Sequence, residues 1–101
     1  MLIKAFRKFG QILNTTIYKV LFKRLYVNPI KSHFFGVLTI EKEGEVVIED
    51  LFRARRGMCI NCKGGKIKIG KSVFFNNNVS INCQQSISIG DNVLIGESVK
   101  I

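Results

Sequence analysis

From Leu38 to Ile101 the chain repeats one motif: two apolar residues flank a variable one, and a small or polar residue follows. Met58-x-Ile60-Asn61, Ile67-x-Ile69-Gly70, Val73-x-Phe75-Asn76 and Val79-x-Ile81-Asn82 are clear copies. Ile87-x-Ile89-Gly90, Val93-x-Ile95-Gly96 and Val99-x-Ile101 continue the series, and Leu38-x-Ile40, Val46-x-Ile48 and Phe52-x-Ala54 are weaker copies before it. Each triplet is a short strand with both apolar side chains on one face. The Gly or Asn after it is expected to take the positive φ of a sharp corner. Recurrence at two and six is a strand-and-corner pattern, not a helical one.

The second apolar residues fall at 40, 48, 54, 60, 69, 75, 81, 89, 95 and 101, in steps of 8, 6, 6, 9, 6, 6, 8, 6 and 6. Every third step is long, so a unit of three strands recurs every 20 or 21 residues. This predicts a prism of three flat faces in which Ile40, Ile60, Ile81 and Ile101 stack. Enlarged corners follow at Glu41–Glu45, Asn61–Lys66 and Asn82–Ser86. Ile-Asn-Cys occurs at 60–62 and again at 81–83 because equivalent points on successive coils have the same packing and turn demands. Such a solenoid buries a continuous axial column and needs about three coils to be stable. The third coil ends on an inward-type residue, Ile101, without a polar cap. The expectation is a longer solenoid of which this is the N-terminal part, or a partner over the end.

The pattern changes upstream. Ile3, Phe6, Leu13, Ile17, Val20, Leu21 and Leu25 recur at three- and four-residue steps, with Lys4, Arg7, Lys8, Gln11, Lys19 and Lys23 mainly between them. This predicts a basic amphipathic helical segment over residues 1–35, followed by the β-repeat over 36–101. Gly10 and Asn14-Thr15-Thr16 are expected to divide it into two helices, with Asn14 or Thr15 as a cap, and Pro29 to end it. Its apolar stripe is expected to dock on the rest of the protein. A basic amphipathic helix also suits an anionic membrane surface, and Phe9, Tyr18, Phe22 and Tyr26 are more apolar surface than one docked stripe needs.

Composition sharpens this reading. Apolar residues make up 47% of the 101, which argues for one folded domain. The net charge of +9 is uneven: residues 1–40 hold seven basic groups and no acid, and the rest hold nine basic and seven acidic. No transmembrane run or signal-peptide core is present, so a cytoplasmic setting is expected, peripheral to the membrane if the helix binds it.

Ile69-Gly70-x-x-Val73, Ile89-Gly90-Asp91-Asn92-Val93 and Ile95-Gly96-x-x-Val99 resemble the hexapeptide repeat of the left-handed β-helix acyltransferases. The stretch from Val73 is most similar to the maltose/galactoside O-acetyltransferase branch and its polysaccharide-modifying relatives. The resemblance implies a mainly β protein, a left-handed parallel β-helix behind an N-terminal helical segment. It also implies a homotrimer and transfer of an acetyl group from acetyl-CoA to a sugar hydroxyl, in a cell-surface polysaccharide context. The family's general base is a His in the corner expected just after Ile101, and its coenzyme-binding coils lie further on. The single histidine, His33, precedes the repeat and is assigned a packing or turn role. The chain alone is therefore expected to bind no cofactor and to be inactive. The resemblance assigns Asn76 and Gln84 to an acceptor site; an αL corner role alone also accounts for Asn76. The alternative is a non-catalytic solenoid serving oligomerisation or membrane-surface binding.

Other constellations carry less. Cys59-Ile60-Asn61-Cys62 and Cys83 lack a fourth zinc ligand and are read as corner-filling thiols, with Cys59 outward. Arg53-Ala54-Arg55-Arg56 lacks interleaved aromatics, so nucleic acid is not an expected partner and a solvated face or subunit contact is. Gly64-Gly65-Lys66 is not a P-loop, and Asp91-Asn92 is a turn.

Overall fold

The computed structural model describes residues 2–101, with side chains described from Ala5 onward. One helix, α1 (Leu2–Leu21), precedes ten short strands: β1 (Leu25–Tyr26), β2 (Val37–Glu41), β3 (Glu45–Ile48), β4 (Arg53–Ala54), β5 (Cys59–Lys63), β6 (Lys66–Ile69), β7 (Phe74–Phe75), β8 (Ser80–Cys83), β9 (Ser86–Ile89) and β10 (Leu94–Ile95). They form three parallel sheets, β2-β5-β8, β1-β3-β6-β9 and β4-β7-β10. The chain visits the three sheets in rotation, so it is a β-solenoid of about three turns behind an N-terminal helix.

Apolar alternation places the core. Leu38, Ile60 and Ile81 share one register on the first sheet, and Ile40, Cys62 and Cys83 share the next inward one. Leu25, Val46, Ile67 and Ile87 line the second sheet, and Ala54, Phe75 and Ile95 the third. The stacking expected of Ile40 is therefore corrected: Leu38 stands over Ile60, and Ile40 over Cys62. Apolar spacing alone does not reveal the shift, because the first corner holds an extra residue. Between inward positions that corner takes six steps in the first coil (Ile40 to Val46), five in the second (Cys62 to Ile67) and four in the third (Cys83 to Ile87). Asn61 and Asn82 consequently lie on strands. Outside the first sheet, Thr39 Oγ1 donates to Asn61 Oδ1, and Asn61 Nδ2 donates to Asn82 Oδ1 at 3.1 Å.

The corners use a different device from the expected one. Positive φ falls at Leu51, Ser72 and Asn92 on one edge and at Gly57, Asn78 and Ser98 on another. These lie two positions after the residue that closes each triplet, which is Gly or Asn at 70, 76, 90 and 96 but Glu49 and Arg55 in the first coil. The amide of each αL residue from Leu51 onward, Gly57 apart, donates to a carbonyl of the preceding turn, as in Ser72 N to Asp50 O at 3.0 Å and Asn92 N to Lys71 O at 2.8 Å. Gly70 serves close approach instead. A Cβ there would collide with Asp91 Oδ1 and lie 2.8 Å from the Gly90 carbonyl carbon.

The N-terminal segment departs most from expectation. Residues 2–21 are one helix, not two. Thr15 and Thr16 stay helical by donating their hydroxyls to the carbonyls four residues back, Gln11 at 2.9 Å and Ile12 at 2.7 Å. Gly10 leaves room for the Phe35 ring. The helix stops well before Pro29, because Leu25 pairs into the second sheet and is buried at the head of its column. The polar cluster read as a break is the docking clamp. Asn14 Nδ2 donates to the Phe34 carbonyl at 2.8 Å, Thr15 Oγ1 accepts from Phe34 N at 3.0 Å, and Tyr18 Oη donates to the Gly36 carbonyl at 2.9 Å. Tyr18 and Phe22 pack on the core, while Phe6, Phe9, Leu13, Ile17, Val20 and Leu21 remain exposed. The expectation that the apolar stripe docks is overturned: the helix caps the solenoid with its polar and aromatic side.

Candidate functional site

The two residues assigned to an acceptor site stand on different edges of the prism. Asn76 follows β7, at the corner between the third and first sheets; Gln84 is exposed in the turn between β8 and β9, at the corner between the first and second. The chain does not bring them together. Asn76 is half-buried and not αL; that role falls to Asn78. The Asn76 amide donates to the Ile95 carbonyl at 2.9 Å, and its Oδ1 accepts from the Asn77 amide at 2.8 Å.

Next to Asn76 the structure assembles a cleft of about 370 Å³ lined by Arg7, Arg55, Arg56 and Asn77. The repeat builds three of its four walls. Ala54 turns inward at the end of β4, so Arg55 and Arg56 run out over the corner, and Asn77 occupies the corner one coil on. The Arg55 guanidinium lies 5.7 Å from the Phe74 ring centroid, which holds it against the sheet. Arg7 arrives from α1. Among the described residues none of these arginines forms an ion pair; an acid does touch the lining residue Asn77, whose Nδ2 donates to Glu97 Oε1 at 3.0 Å. Three guanidinium groups without an acidic partner repel one another, and they match the planar, bidentate geometry of a phosphate or carboxylate. The Arg53–Arg56 run was the available signal. Arg7 could not be added from sequence, because α1 meets this corner only in three dimensions.

His33 is buried, which closes it to a substrate, and its Nδ1 has no hydrogen-bond partner among the described residues. Burial holds its pKa below the usual histidine value, helped by the positive charges of Arg53 and Lys8, against the carbonyls of Ile30 and Pro29, which push it up. The folded state thus binds its proton less readily than the unfolded chain. His33 contributes full stability above pH of about 6.5 and loses it as pH falls toward the lower, folded value. Stability should decline as pH drops below that point, and His33→Gln should flatten this slope in urea titrations.

Cys62 and Cys83 are inward strand residues rather than corner fillers, while Cys59 faces outward as expected. Cys62 and Cys83 are buried register partners, and Cys59 is half-buried on the outer side. Burial, joined by the neighbouring Cys83, pushes the Cys62 thiol up, so it is a poor nucleophile. Among the described residues no group of three His, Cys, Asp or Glu could hold a metal ion. No family model, curated protein or solved structure matches the chain.

Proposed function

We propose that this chain forms the N-terminal cap and first coils of an acyl-CoA-dependent O-acyltransferase that acetylates a sugar hydroxyl. The supporting observation is the coil geometry. Single-layer parallel turns of 20 to 22 residues stack in register, with Ile-Gly-x-x-Val units at their corners. In the reaction the acceptor oxygen attacks the thioester carbonyl, a general base takes the hydroxyl proton, and the coenzyme leaves as its thiol. Buried His33 is excluded as that base, so this reading places it in a further coil after Ile101. The arginine cleft then serves acceptors that carry an acidic group.

The reading frame beyond codon 101 and the intact mass of the native protein test the first part. A frame continuing into a His-bearing corner supports it, and a protein ending at Ile101 sinks it. For the whole gene product, thiol release from acetyl-CoA should require a sugar acceptor. Arg55→Ala with Arg56→Ala should raise KM for acidic acceptors about tenfold, the loss of one charge-assisted contact, and leave kcat and neutral acceptors unchanged.

A further inference from the structure

The side of α1 turned away from its docking contacts carries Phe6, Phe9, Leu13, Ile17, Val20 and Leu21, each between 50% and 76% exposed. Steps of three and four place most of them in one stripe along a helix about 30 Å long. Scattered exposed apolar residues are ordinary, but a contiguous stripe of this kind marks a contact surface. The core does not need it, since the opposite side already holds the solenoid through Asn14, Thr15, Tyr18 and Phe22.

Charge decides what covers the stripe. Apart from Arg7, which faces the arginine cleft, Lys8, Lys19, Lys23 and Arg24 are exposed along or just beyond the helix, and no acid occurs before Glu41. A second copy would bring this uniformly positive segment against itself. A surface of anionic lipid headgroups would neutralise it while the apolar stripe enters the interface. Among the described residues no helix is long and apolar enough to cross a membrane. We therefore infer that α1 lies flat on an anionic bilayer, its Phe6–Leu21 stripe in the acyl boundary and its basic residues among the headgroups, with the solenoid held on the water side. This inference is independent of acyl transfer.

The test is flotation of the full chain with vesicles of phosphatidylcholine, or of phosphatidylcholine mixed with phosphatidylglycerol. Binding should be at least about tenfold stronger to the mixture and should weaken with added salt. Phe9→Ser with Ile17→Ser should lower it by about tenfold or more. Both positions are exposed in the free chain, and an unchanged thermal melt would verify that the fold is kept. Lys19→Glu with Lys23→Glu leaves the stripe intact and should abolish the preference for the anionic mixture. Equal binding by the serine variant, or equal binding to both vesicle types, overturns the inference. So does a lipid-free oligomer, seen by light scattering, that the serine substitutions dissolve while vesicles capture nothing; the occupant would then be a second copy.

Discussion

Phe52→Ala is expected to cost about 3–5 kcal/mol, a large share of what a domain of this size has. Phe52 is fully buried, with its ring edge-on to Phe34 at 5.9 Å and to Phe75 at 4.9 Å between centroids. Tyr18 continues the row, 6.4 Å from Phe34. The row runs from the helix through the loop before β2 into the first and second coils, so one truncation both opens a cavity and separates the cap from the column. Tm should fall by on the order of 15 °C or more. Phe52→Leu should lose far less, and Phe9→Ala, on the exposed side of the helix, should stay within about 0.5 kcal/mol. If Phe52→Ala melted with the unmodified protein, the aromatic row would not be what joins cap to solenoid.

The second large effect is expected at Gly65, in the turn between β5 and β6. A Cβ there would collide with the Gln85 carbonyl oxygen and lie 2.7 Å from its carbon and 2.9 Å from the Gln85 nitrogen. All three atoms are backbone of the next coil, and Gln85 O already accepts from Lys66 N at 3.0 Å, so they cannot step aside cheaply. Gly65→Val should cost about 3 kcal/mol and should lower the amide-exchange protection of the third coil more than that of the first. Gly90 lies at a different corner, after β9; a Cβ there meets nothing within 4 Å, and it is not among the positive-φ residues. In the 101-residue chain Gly90→Ala should therefore be neutral, or stabilising by up to about 1 kcal/mol. Urea unfolding of the pair separates a glycine required by close approach between coils from one that is not.

That contrast shows where the sequence was legible. The triplets and the long third step follow from side-chain alternation, a local property, and they correctly give three faces, the core column and the equivalence of Cys62 with Cys83. Register is not local. It depends on how many residues each corner absorbs, and Ile40 was misplaced by two for that reason. Sequence assigns the glycines to backbone conformation, because their neighbours one coil away cannot be seen in one dimension. The helix departs from its sequence pattern in two related ways. Its periodicity gives a stripe without saying which side docks, and Asn14-Thr15-Thr16 has the same composition whether it breaks a helix or clamps it to Phe34. The arginine cleft required α1 to be placed beside a corner almost fifty residues later in the chain.

The stacking has a consequence for how the molecule comes together. Every strand pair in the repeat, from β2 onward, joins residues 20, 21 or 22 apart. The loop that must close to seat a new coil is therefore always the same size, whichever coil it is. Loop-closure entropy and contact order govern how fast a parallel sheet assembles, and in this architecture neither grows as turns are added. Assembly can advance from the helical cap like a zipper, at a nearly constant entropic cost per turn, and a pulling force on the last coil should release it one turn at a time.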